Sequence, residues 1–151
     1  GTKQDYTKAI EYYQKAGELG YAESFNQLGL LYAQGEGVEQ DYTKAIEYYQ
    51  KAADLNFPVA FYNLGYNYAQ GNGTKQDYTK AIEYYQKAGD RGYQNAFYSI
   101  GSLYENGKGV DKNILKAIEY YQKASNLGCE EAKSKLIELE SDKKWSKMII
   151  I

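Results

Sequence analysis

Residues 77–88 read Asp-Tyr-Thr-Lys-Ala-Ile-Glu-Tyr-Tyr-Gln-Lys-Ala, and the same twelve residues stand at 5–16 and at 41–52. A fourth copy at 113–124 begins Asn-Ile-Leu and is otherwise unchanged. The four starts, at 5, 41, 77 and 113, are 36 residues apart. A fixed period of this length marks an array of stacked supersecondary units, none of which can bury its apolar face alone.

The rest of the unit keeps the same period. Leu28, Leu64 and Ile100 recur at 36-residue intervals, as do Gly29, Gly65 and Gly101, and then Tyr32, Tyr68 and Tyr104. Complete units at 21–56, 57–92 and 93–128 follow a half unit at 1–20. A capping helix is expected over 129–140, with a tail at 141–151 that reads as a helical extension or a loose segment covering the exposed end. Since the chain opens midway through a unit, it is expected to be a trimmed piece or domain and not a whole natural protein.

Each unit reads as helix, loop, helix. In the second unit the first helix (A) is expected over 58–70, opened by Pro58, whose missing N–H costs nothing at a first helical position. Ala60, Phe61, Leu64, Gly65 and Tyr68 recur at three- and four-residue intervals and share one face. The second helix (B) is expected over 77–89, with Asp77 as its N-cap. Ala81, Ile82, Tyr85 and Ala88 make its buried stripe, and Tyr84 packs against a neighbour. Lys80, Glu83 and Lys87 make a solvated face with weak ion pairs. Gly20, Asn56, Gly92 and Gly128 end the B helices, and these residue types tolerate a left-handed backbone best. Gly65 and Ala60 let A approach B closely. The fold expected is all-α, a solenoid of antiparallel helix pairs with about eight helices.

The order Ala60, Leu64-Gly65, Tyr68, Gly71-Asn72-Gly73, Asp77, Lys80-Ala81, Tyr84-Tyr85, Lys87-Ala88 and Gly92 resembles the Sel-one-like repeat, a relative of the tetratricopeptide repeat. The resemblance covers residues 1 to about 139. It implies a right-handed superhelix that serves as an adaptor in protein complexes, with ligands held on the concave surface lined by the A helices. Family members also accompany catalytic domains in larger signalling proteins. Thr74 departs from the valine usual after the loop glycines, which Val38 and Val110 keep. The last half unit departs further, with Ile137 at the glycine position and Glu140 at the tyrosine position. Those two residues fit only an end against which no further B helix packs.

Composition narrows the chemistry. The chain has 151 residues, a net charge of −2, one cysteine and no histidine. Its mean hydropathy is −0.74. No apolar run spans a bilayer, and the charge balance leaves no footprint for nucleic acid. Membrane insertion and nucleic-acid partners are therefore not expected, and the chain reads as soluble, with the cytoplasm favoured. Cys129 fits a reducing compartment or indifference to redox state. It shares the apolar register of Tyr21, Phe57 and Tyr93 and reads as a packed thiol. Without histidine, the usual triads and histidine metal sites are excluded, and one cysteine cannot form a thiolate zinc cage. Loops such as Gly35-Glu36-Gly37 lack the Lys-Ser/Thr ending of a phosphate-binding loop and read as turns. Neither an enzyme nor a cofactor is expected.

The tyrosines point to a surface. Of 19, 16 fall at repeat-defined positions (6/42/78, 12/48/84/120, 13/49/85/121, 32/68/104 and 21/93) and read mostly as packing. Tyr62, Tyr66 and Tyr98 remain, all on A helices. Tyrosine offers apolar area with a polar tip at small entropic cost, which suits an interface. The candidate binding surface comprises Tyr62, Tyr66, Tyr98, Asn26, Leu30, Asn63, Asn67, Gln70, Ser102 and Asn106. Its amides suit the backbone of an extended peptide, and its near-neutral lining, with Glu23 and Glu105 among its few charges, suits a mixed-polarity peptide or helix. The expected partner is a segment of another protein. Two alternatives stand beside it: an accessory domain of a larger signalling enzyme such as a kinase, and weak self-association through the B-helix face or the tail at 148–151.

Overall fold

The computed structural model describes the backbone of residues 2–149 and the side chains of residues 2–143. Eight α-helices occur among the described residues: α1 Lys3–Glu18, α2 Ala22–Gln34, α3 Tyr42–Asp54, α4 Pro58–Gln70, α5 Tyr78–Asp90, α6 Gln94–Asn106, α7 Ile114–Asn126 and α8 Glu130–Ile149. No strand occurs among the described residues. The protein is an all-α helical-repeat chain. Its packing divides it into two compact units, Gly1–Ala88 and Gly89–Ile151.

The repeated phrase sets the B helices through one recurring cap. Asp41 Oδ1 accepts from the Lys44 N–H, Asp77 Oδ1 from Lys80 and Asn113 Oδ1 from Lys116, each at 3.0 Å. An N-cap side chain of this kind satisfies an orphan amide and contributes about 1 kcal/mol. The first copy differs. Thr2 caps α1, and Asp5 closes a capping box by accepting from the Thr2 N–H at 3.1 Å. That reciprocal pair draws the helix start back to Lys3, ahead of the repeated phrase. At the other end, Gly20, Asn56, Gly92 and Gly128 have φ between 64° and 97°. This is the left-handed backbone read from the sequence, and Asn56 is the non-glycine member.

In the first unit, α2 packs on α3, α3 on α4 and α1 on α2. Leu28, Leu64, Ala45, Ala52, Ala81 and Ala88 are fully buried there. The Tyr49 ring covers Gly29, and a Cβ at Gly65 would lie 2.7 Å from Tyr85 Cδ1. Only glycine lets these helices meet at that separation, because such a Cβ would overlap the ring. Tyr84, expected to pack on a neighbour, stacks on Tyr68 with centroids 5.5 Å apart and planes 9° from parallel. Tyr48 does the same on Tyr32 at 5.6 Å. The lysines expected to form a solvated face are exposed, but they also cover the rings. Lys80 lies 5.2 Å over Tyr68, and Lys87 lies 5.2 Å over Tyr84. This cation–π contact arises because the tyrosine stack comes to the surface beside the lysine stripe.

The second unit repeats the scheme with α6 on α7 and α7 on α8. Ile100, Ala117, Ala124 and Tyr121 are fully buried, and the Tyr121 ring sits over Gly101, where a Cβ would lie 2.7 Å away. Cys129 is 1% exposed, and burial pushes its thiol pKa up. Ala132 on α8 is buried, whereas Ile137 at the glycine position is 67% exposed. The helix runs on to Ile149, so the stretch divided in the sequence reading at residue 140 lies along one helix over its described part. The expected docking of residues 148–151 lies outside the described side chains.

Candidate binding surface

The A helices hold all ten candidate residues: Asn26 and Leu30 on α2, Tyr62, Asn63, Tyr66, Asn67 and Gln70 on α4, and Tyr98, Ser102 and Asn106 on α6. Five of them meet in the first unit, at a cleft of about 420 Å³ lined by Leu30, Tyr62, Asn63, Tyr66 and Asn67. Gln34 and Tyr42 add to its walls, with Tyr49 and Asn72 beside them. None of the lining residues is charged. Tyr66 is 47% exposed. Tyr62 is half-buried and tilts against Tyr85 at 5.4 Å between centroids.

Three amides tie this region together. Asn63 Nδ2 donates to Asn26 Oδ1 at 2.9 Å, and Asn67 Nδ2 donates to the Asn63 carbonyl at 2.7 Å. Asn26 is only 3% exposed and is not among the residues lining the cleft. Its amide is taken up in orienting Asn63 from the neighbouring helix, so it stands behind the surface. Gln70 is exposed at the end of α4 and also lies outside the cleft lining. Burial pushes the Tyr49 phenol well above its ordinary pKa, so this wall is neutral at physiological pH.

In the second unit Tyr98 is half-buried and tilts against Tyr121 at 5.4 Å. Asn106 Nδ2 donates to the Ser102 carbonyl at 2.8 Å and to Ser102 Oγ at 3.3 Å. Beside them stands Glu105, which accepts from the Tyr121 hydroxyl and, at 3.1 Å, from Lys135 Nζ on α8. Burial alone would raise the Glu105 pKa. The hydrogen bonds from Tyr121 and Lys135, with the Lys135 charge, outweigh it and hold the carboxyl below its usual range. Burial first, and then the bond to Glu105, push the Tyr121 phenol up. The sequence reading named Glu105 only as a charge near the surface and did not connect Lys135 to it.

Asn72, Tyr42 and Tyr49 were not read as surface residues. Their signal was weak, because Tyr42 and Tyr49 belong to periodic sets that elsewhere serve packing. Asn67 carried a stronger signal: one period away on either side the chain has Leu31 and Leu103. Among the described residues, no group of three or more His, Cys, Asp or Glu is placed to hold a metal ion. No helix among them is long and apolar enough to cross a membrane.

The Sel1 repeat family model matches residues 1–21, 22–57, 58–93 and 96–129. A Sel1 repeat protein from Oxalobacter formigenes is 36% identical, with a TM-score of 0.80 over 85% of this chain and 53% of its own. The protective antigen c5321 of uropathogenic Escherichia coli, which has the SLR fold, is 36% identical, with a TM-score of 0.77 over 84% of this chain and 27% of its own. Helicobacter pylori cysteine rich protein B is 34% identical, with a TM-score of 0.70 over 90% of this chain and 98% of its own. The chain thus spans about half the length of the first of these structures and about a quarter of the second. No curated protein matches the chain. Four consecutive repeat matches and the shared helical architecture lead to one conclusion: the chain belongs to the Sel1 repeat family.

Proposed function

We propose that this chain is a non-enzymatic protein-binding module that holds an uncharged, mixed-polarity segment of a partner protein against its A-helix residues. Sel1 repeats are typically protein–protein interaction modules, and the observation that carries the reading here is the cleft in the first unit. Its lining is aromatic and amide-rich, has no charged side chain and presents the half-exposed Tyr66 at its mouth. Tyrosines beside polar amides supply apolar contact area together with hydrogen bonds, as interface cores do. Tyr98, Ser102 and Asn106 give the second unit a comparable set. Binding of this kind serves equally an adaptor and an accessory domain within a longer enzyme.

The test is affinity measurement against a peptide selected on the intact chain from a displayed random library. Tyr66→Ala is expected to weaken that peptide at least tenfold, which is about 1.4 kcal/mol, while circular dichroism stays unchanged. Unchanged affinity would reject the surface.

Self-association has one observation in its favour. Tyr12 has the register of Tyr48 and Tyr84, yet it is 79% exposed and lines a cleft of about 740 Å³ with Tyr21 and Phe57. Light scattering over a concentration series separates the readings: a mass that rises with concentration and is held at the monomer by Tyr12→Ser would favour self-association.

A further inference from the structure

Asn67 is 4% exposed, and its Oδ1 is sealed from solvent with no hydrogen-bond partner among the described residues. The amide cannot turn over to relieve this, because its Nδ2 is already committed to the Asn63 carbonyl at 2.7 Å. A flipped amide would set oxygen against oxygen. A buried acceptor left unmade costs on the order of 1–3 kcal/mol, and such a group in a folded protein calls for an explanation. Packing supplies none. The repeat fills the equivalent positions with Leu31 and Leu103, so a leucine, with the same heavy-atom branching, satisfies the fold at the corresponding points. The orphaned amide also belongs to the lining of the cleft that holds Tyr62, Tyr66 and Asn72.

We propose that Asn67 Oδ1 is the acceptor for a main-chain N–H of the bound partner segment. This inference rests on the binding role given above to the same cleft. The missing partner must be a donor. A cationic donor would enter a lining that has no carboxylate to offset its lost hydration, so the donor is neutral. A secondary amide of the polypeptide backbone is neutral and brings a carbonyl beside its N–H. The cleft answers that carbonyl with its own donors, the Asn72 amide and the tyrosine hydroxyls. Because Oδ1 is covered in the free protein, binding includes a rotation in the cleft wall that uncovers it.

The experiment uses the library-selected peptide, resynthesised with each backbone amide N-methylated in turn, and measures its binding to the intact chain and to Asn67→Leu. Asn67→Leu is expected to fold with a melting temperature raised by roughly 2–4 °C and to bind the peptide at least tenfold more weakly. One N-methylation should cost the wild type at least tenfold and cost Asn67→Leu almost nothing, since both changes delete the same bond. A Tyr66-dependent peptide that binds Asn67→Leu as well as wild type overturns this inference and leaves the surface standing. So does a peptide whose coupling to Asn67 runs through a side-chain carboxamide. A variant that melts lower or fails to fold shows an amide kept for structure and also overturns it. A library with no Tyr66-dependent binder removes the surface itself, and this inference with it.

Discussion

Asn67 in the first unit and Glu105 in the second break the repeat in the same way and with opposite outcomes. Each puts a polar group where the other units are apolar: Asn67 answers Leu31 and Leu103, and Glu105 answers Ala33 and Ala69. Glu105 is fully engaged, with the Tyr121 hydroxyl on one oxygen and Lys135 on the other. Asn67 keeps an acceptor that nothing among the described residues meets. A partnered departure of this sort joins elements, here α6, α7 and α8. An unpartnered one lowers stability without joining anything. The same local framework supports both, since Gly65 lies under Tyr85 as Gly101 lies under Tyr121.

That shared framework gives the largest expected effect. Gly65→Leu and Gly101→Leu should each cost about 1–3 kcal/mol or more, because the new side chain occupies the space of a tyrosine ring. Chemical denaturation of the two variants checks this. If one unit absorbs the change without loss, the frameworks are not equivalent and the comparison fails.

Next comes Glu105→Ala, which restores the repeat's alanine. It is expected to lose about 1–2 kcal/mol, because the buried Tyr121 hydroxyl loses its carboxylate acceptor and keeps only its bond with Ser102. Asn67→Leu restores the repeat's leucine and should move stability the other way, by about 1 kcal/mol. Opposite signs from two restorations of the repeat would sharpen the contrast, whereas equal signs would dissolve it.

Acid offers a subtler discriminator. The folded Glu105 pKa lies below the usual carboxylate value, so the unfolded chain takes up its proton first as pH falls. The contribution of Glu105 is therefore full above the unfolded value of about 4.3 and disappears as pH drops through the lower folded one. Melts of wild type and Glu105→Gln should run at a constant separation from pH 7 to about pH 5.5 and draw together as pH falls from the unfolded value of about 4.3 through the lower folded one. The gap between wild type and Asn67→Leu should not change with pH from this cause. Lys135→Ala is the smallest of the set. Its ammonium is partly exposed, with 28% of the side chain accessible, so a loss of about 0.5–1 kcal/mol is expected in thermal melts at low salt.

Most of the framework was written in the period. A repeated Asp or Asn three residues before Lys44, Lys80 and Lys116 placed the B-helix caps. The glycines and Asn56 placed their ends, and Leu64, Gly65 and Tyr85 named the contact between A and B. Sequence was silent where a side chain chooses between equivalent uses. Thr2 and Asp5 close a box that no other unit has, so no repeat advertised it. The stretch after residue 140 read equally as a helical extension or a loose tail, and its lack of glycine and proline to stop a helix agrees with the extension that α8 makes. Within the binding surface, exposed Tyr66 was legible as a break in the tyrosine pattern. The burial of Asn26 was not, because whether an amide faces a groove or a neighbouring helix depends on Asn63 reaching across from α4.

Cys129 has a practical use that follows from its place at the start of α8. As the chain's one thiol, closed off and made less acidic by its surroundings, it is expected to react only when its packing opens. A thiol reagent therefore reads the breathing of that end of the molecule in real time, with no label to engineer. A partner that clamps the second unit would slow the colour change.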